Sequence, residues 1–215
     1  MRYTHWFWDL DGTLADTAPS VTHSVQHALR QMGLPVPHES ELLGFIGPPL
    51  LEGFAQFIGL NTVDSERAVK LYRAHYSAGG IYECSLYSGI RETLDKLANQ
   101  GIVSVIATCK PHEFATRIVK HLGIEDRISF VSGPEMDGTR GTKAEVIAYA
   151  QEQLGISDLS RCLMLGDRAS DVRGAAHHGM DCVGALWGFG SETELREAGA
   201  KHLCASPGEL EQLLF

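Results

Sequence analysis

Near its start the chain runs Trp6-Phe7-Trp8-Asp9-Leu10-Asp11-Gly12-Thr13-Leu14, an apolar stretch that ends in two carboxylates one residue apart and then a glycine. A short apolar run closed by such a turn reads as a buried strand. Side chains two apart in a strand share a face, so Asp9 and Asp11 converge just beyond the strand end, where Gly12 lets the backbone turn. Close carboxylates repel one another, and they persist where a cation or a shared proton offsets the repulsion. The fold must therefore bring something positive to this strand end, an arrangement suited to Mg2+ and phosphate.

From Arg91 onward apolar strand patterns alternate with amphipathic helix patterns. Strands are expected at 102–108, 128–132, 162–166 and 181–185, and helices at 91–100, 113–122, 143–154, 170–178, 192–198 and 208–214. Such alternation implies an α/β fold with a parallel sheet covered on both faces. The stretch from Pro19 to Tyr82 breaks the pattern and reads as helices alone, at 20–32, 40–45, 50–58 and 65–77. It is too long for a crossover loop. The expected organisation is a core of residues 1–16 and 85–215 with a separate helical domain, residues 17–84, inserted after the first strand.

The totals narrow the possible partners. A net charge of −9 over 215 residues argues against a nucleic-acid binder, which needs a basic face. The five cysteines form no CxxC pair and read as reduced thiols, mostly small core residues. His5 and Asp9 interrupt any signal-peptide core, and no apolar stretch approaches the roughly 20 residues a bilayer requires. The expectation is a soluble cytoplasmic protein with no membrane and no nucleic-acid partner; oligomeric state is not legible.

Four candidate positions fall at strand ends: Asp9 and Asp11, Thr108, and Asp167 after Gly166. Ligands of open parallel sheets bind outside those ends. Asp9 reads as a nucleophilic carboxylate, with Gly12 and Thr13 lining the phosphate. Asp11 reads both as an Asx-turn residue leading into Gly12 and as an acid–base group coupled to Asp9. Thr108 could bond a phosphoryl oxygen, although alone it is an ordinary β-branched strand residue. Cys109 and Lys110 follow as candidates for binding the phosphate, and Pro111 starts a helix whose free N–H groups face the same place. Lys110 either lines the phosphate pocket or is a solvated loop lysine. Thr142-Lys143-Ala144-Glu145 fits a capping box. A lysine in that first turn opposes the helix dipole, so Lys143 reads as a cation placed there to neutralise Asp9 and phosphate, against the alternative of a surface lysine. Asp167 is the expected Mg2+ ligand. Asp171, in the first turn of the next helix, either favours the helix dipole or supports the metal from behind, with direct ligation open. Trp187-Gly188-Phe189-Gly190 is no dinucleotide fingerprint; it is a glycine-rich loop flanking the site.

These residues, in this order, resemble the haloacid dehalogenase-like hydrolases over nearly the whole chain: Asp9-Leu10-Asp11-Gly12-Thr13, Thr108, Lys143, and Gly166-Asp167 through Asp171. The insert after the first strand is similar to the helical-cap subgroup. Ile46-Gly47-Pro48-Pro49-Leu50, Tyr87-Ser88-Gly89-Ile90 and the Trp187 loop are similar to phosphoglycolate phosphatase-type members. The resemblance implies a Rossmann-like sheet with the first strand central, and Mg2+ held by Asp9, the Asp11 backbone carbonyl and Asp167. Cys109 departs from the Ser or Asn of many relatives.

The expected reaction is hydrolysis of a small phosphorylated metabolite through an aspartyl-phosphate. The alternatives are a phosphomutase of the same superfamily or a nucleotidase. A phospho-receiver domain also clusters Asp, Thr and Lys around Mg2+, but its phosphorylated Asp lies at a later strand and it lacks the helical insert. Gly47–Leu50, Arg67, Lys70 and Arg73 are the candidates for reading the substrate.

Overall fold

The computed structural model describes residues 3–213, and the chain divides into two compact units, Met1–Asp16 with Leu86–Phe215, and Thr17–Ser85. In the first unit six strands form one parallel sheet: β1 (His5–Trp8), β4 (Val103–Ala107), β5 (Phe130–Ser132), β6 (Cys162–Gly166), β7 (Asp181–Ala185) and β8 (His202–Cys204), in the order β5-β4-β1-β6-β7-β8. The short strands β2 (Ala15–Asp16) and β3 (Ser85–Leu86) form a separate two-stranded sheet.

β1 is an interior strand because it is apolar on both faces, and Trp6, Phe7 and Trp8 are wholly buried. Its register aligns three strand ends. Trp8 lies level with Ile106 of β4 and Leu165 of β6, so the residues after β1, β4 and β6 leave the sheet at one edge.

The helices of this unit are α4 (Ile90–Asn99), α5 (His112–His121), α6 (Lys143–Leu154), α7 (Ala169–His177) and α8 (Glu192–Ala198). The α6 start is set by the expected capping box: Thr142 accepts the Glu145 N–H, and the Glu145 carboxylate accepts the Thr142 N–H at 2.9 Å. Gly155, at φ 62°, ends the helix in the left-handed conformation that glycine adopts without strain. Val146, Ile147 and Ala150 of α6 join Phe7, Val105, Met164, Val172 and Leu195 in one apolar cluster.

The second unit is helical: α1 (Ala18–Gln31), α2 (Leu50–Ile58) and α3 (Thr62–Ala78), with short 3-10 turns between and after them. Val25, Leu29, Phe45, Phe54, Tyr72, Tyr76 and Ile81 are among its buried residues, and Phe45 meets Phe54 edge-on at 5.0 Å.

Three local expectations are corrected. The helix expected at 40–45 is two 3-10 turns, Glu39–Glu41 and Leu43–Phe45. Gly44 weakens an α-helix there, and Leu42 and Phe45, three apart and both buried, suit the three-residue repeat. The terminal helix expected at 208–214 is a 3-10 segment, Pro207–Leu213, and Leu214 lies outside the described residues. The strand β8 was not expected; three residues with His202 exposed carry too little periodicity to announce a strand. Among the described residues no helix is long and apolar enough to cross a membrane.

Ile106, wholly buried on β4 beside β1, tests the sheet core. Ile106→Ala is expected to cost about 2–5 kcal/mol, read as a lowered midpoint in urea denaturation followed by circular dichroism.

Candidate active site

The register of β1, β4 and β6 brings Asp9, Thr108 and Asp167 to one sheet edge, and the Asp9 N–H donates to Leu165 C=O at 2.9 Å. Lys143, the first residue of α6, reaches the same edge and is buried. Its ammonium donates to the Ala107 carbonyl at 2.8 Å and pairs with Asp9 Oδ1 at 2.9 Å and Asp171 Oδ1 at 2.8 Å. Burial alone would lower its pKa; the Asp171 and Asp9 carboxylates outweigh burial and hold it well above the ordinary lysine value. The surface-lysine alternative is thereby overturned. Two glycines make the route possible. A Cβ on Gly174 of α7 would stand 2.6 Å from Lys143 Cγ, and one on Gly166 would stand 2.2 Å from Asp171 Cγ.

Asp167 is enclosed. Its Oδ1 accepts the Thr13 hydroxyl at 3.3 Å and its Oδ2 accepts the Phe189 N–H at 2.7 Å. Gly12, at φ 79°, has no room for a side chain: a Cβ would lie 2.3 Å from Asp167 Oδ2. The Trp187 loop closes the other side. A Cβ on Gly188 would meet Gly12 O at 2.3 Å, and one on Gly190 would overlap Asp167 O at 1.7 Å. Trp187 anchors the loop by donating its indole N–H to Thr13 O at 3.0 Å. Burial, then the Asp9 and Asp171 carboxylates, push the Asp167 pKa up to about 8. Burial likewise raises Asp171 against the opposing pull of Lys143.

One carboxylate oxygen from each of Asp9, Asp167 and Asp171 lies within 4.8 Å of the others. With all three acids ionised, the single Lys143 ammonium leaves two negative charges uncompensated, and oxygen donors suit a hard cation. The set therefore fits a divalent metal ion. The three acids are not equally available. Asp171 gives Oδ1 to Lys143 and Oδ2 to the Arg168 N–H at 3.0 Å. Asp9 takes both Lys143 and the Leu10 N–H on Oδ1.

The remaining expected residues lie beside this cluster. The Asp11 carboxylate stands outside the three-acid group and pairs with the Lys110 ammonium at 2.9 Å. The Lys110 side chain is only 8% exposed, which overturns the solvated-loop alternative. Thr108 is buried, and its hydroxyl accepts the Lys110 N–H at 3.2 Å. Burial pushes the Cys109 thiol up despite nearby Lys143. Sequence reasoning missed the Ala107 carbonyl, the Phe189 N–H, and the close fits at Gly166, Gly174, Gly188 and Gly190. The signal was present for the loop: two glycines spaced one apart after the β7 strand.

The sequence pattern of the haloacid dehalogenase-like hydrolases matches residues 7–185. The chain belongs to that family and is an enzyme of it. It is 40% identical over 214 residues to a 5'-nucleotidase of Pseudomonas aeruginosa, covering 100% of this chain and 96% of that one. It is 42% identical over 183 residues to the tyrosine-protein kinase PtkA of Mycobacterium tuberculosis, covering 85% of this chain and 62% of that one. The crystal structure of a predicted phosphatase from Clostridium acetobutylicum superposes with a TM-score of 0.90 at 35% identity, covering 99% of this chain and 98% of that one. Phosphoglycolate phosphatases stand among the relatives at 29% identity.

The raised Asp167 pKa makes a signed prediction. The folded state holds this proton more tightly than an unfolded aspartate of pKa 3.8 does, so the associated stability is full below that value and is lost as pH rises through about 8. In EDTA the thermal midpoint is expected to decline over that window more steeply in the natural chain than in Asp167→Asn, and excess Mg2+ is expected to offset the decline. Parallel curves for the two proteins would remove Asp167 as the titrating group.

Proposed function

We propose that the chain is a Mg2+-dependent phosphomonoesterase working through an aspartyl-phosphate on Asp9. One observation carries this reading. Asp9 is held through Oδ1 by Lys143 and the Leu10 N–H, beside Asp167, so Oδ2 is the oxygen left to act as nucleophile. Held by Asp9, Asp167 and the Asp11 backbone carbonyl, Mg2+ would offset charge on the phosphoryl oxygens.

The chain's own groups do the rest. Asp9 attacks phosphorus in line while Asp11, which enters this step as the neutral acid, gives its proton to the departing alcohol oxygen and is left as the carboxylate. Asp11 then takes a proton from water, whose oxygen attacks phosphorus and releases phosphate from Asp9. Lys143 neutralises Asp9 before attack and the equatorial oxygens during it. Lys110, already against Asp11, and the buried Thr108 line the phosphate side. Asp171 keeps Lys143 in place. The helical unit contributes none of these charged groups, and to it we assign the choice of substrate.

The substrate class is a small phosphorylated metabolite. The 40% identity to a protein named 5'-nucleotidase, against 29% to phosphoglycolate phosphatases, supports testing nucleoside 5'-monophosphates first. A phosphate-release panel run with Mg2+ and with EDTA is expected to give metal-dependent turnover of a member of that class. An isomerised sugar phosphate with no free phosphate would identify a phosphomutase instead. Asp9→Asn is expected to lower kcat by at least about a thousand-fold while Mg2+-dependent substrate binding, followed by calorimetry, largely survives. Full activity in that variant would sink the nucleophile assignment.

A further inference from the structure

The carboxylate of Asp167 is the first of three residues that lead from β6 into α7, and this link has an unusual cap. The residue at the N-cap position is Arg168, whose guanidinium has no acceptor to offer the helix's free N–H groups, unlike the Ser, Thr, Asp or Asn that usually stand there. The acceptor comes from another helix. Glu194 of α8 accepts the Ala169 N–H at 2.8 Å and the Arg168 Nε–H at 3.0 Å, both on Oε1.

Glu194 is itself fixed. Its N–H donates to the Ser191 hydroxyl, the N-cap of α8, at 3.1 Å. The α8 helix begins just after the loop whose Phe189 N–H holds Asp167 Oδ2. Gly190 of that loop lies so close to the Asp167 carbonyl that no side chain fits. Residues 167–169 are thus gripped at three successive points by the stretch 189–194: the Asp167 carboxylate, the Asp167 backbone, and the Arg168–Ala169 link.

We propose that Glu194 is a positioning residue for Asp167: by its reach across to the α7 start, it fixes the direction in which Asp167 presents its carboxylate to the metal ion. The proposal rests on reading Asp167 as a metal ligand. Outer partners of metal ligands typically change affinity about 10–100-fold when removed. The contribution depends on reach rather than charge, because one oxygen accepts both donors and a neutral amide oxygen can do the same.

The test is a calorimetric titration of the full chain with MgCl2 in the absence of substrate, on Glu194→Asp, Glu194→Gln and Asp167→Asn. Glu194→Asp keeps the charge but is one methylene short; it is expected to bind Mg2+ about tenfold more weakly. Glu194→Gln keeps the length and loses the charge; it is expected to bind within about twofold of the natural chain. Thermal midpoints in EDTA confirm that each variant is folded. A purely structural cap would lower those midpoints and leave Mg2+ affinity unchanged, which would overturn the proposal, as would a Gln variant that falls as far as the Asp variant. If Asp167→Asn binds Mg2+ normally, the assignment of Asp167 as ligand fails and the proposal falls with it. If Asp167→Asn loses binding while Glu194→Asp does not, the positioning role alone is refuted.

Discussion

The buried ammonium of Lys143 is the interaction on which the site depends. It joins four elements at one point: the end of β1 through Asp9, the end of β4 through the Ala107 carbonyl, the first turn of α7 through Asp171, and the start of α6 through its own backbone. Without it, two carboxylates would remain buried and unpaired, a loss of about 3–5 kcal/mol when one partner of a buried pair is removed. The surrounding backbone is shaped to admit it. Gly174 leaves room for its methylenes, and Gly166 leaves room for the Asp171 carboxylate that receives it. The excess negative charge left after this pairing is what makes the site suited to a divalent cation.

The sheet and the grouping of charged residues at its edge were legible in the sequence because their signals are local. Trp6-Phe7-Trp8 reads as a buried strand, its central place in the sheet is what the family resemblance implies, and Thr142 to Glu145 spells its own helix start. Lys143 was identifiable because a lysine works against the helix dipole in that turn. The strand β8 and the 3-10 character of 39–45 were not legible, since both rest on a few residues whose conformation is decided by what they pack against. The roles of Phe189 and Glu194 were hidden for another reason. A backbone N–H carries no residue type, and a glutamate three residues into a helix looks like any other first-turn acid.

Asp11 and Asp9 show how little sequence distance means once the strand ends. They are two residues apart, yet Asp9 belongs to the Lys143 group and Asp11 to Lys110. Two lysines from different parts of the chain divide a pair of acids that repel one another. That division gives each acid its own cationic partner.

The central position of β1 has a consequence during synthesis. It leaves the ribosome ahead of its neighbours β4 and β6, which begin only at Val103 and Cys162. At about 5–20 residues per second, Trp6, Phe7 and Trp8 wait roughly 8–30 s for the second of those partners. The helical unit, contiguous from Thr17 to Ser85, is complete well before then. The nascent chain therefore carries Trp6, Phe7 and Trp8 without the strands that flank them in the finished sheet, and protection of those three aromatic side chains becomes a requirement of biogenesis rather than of the finished enzyme.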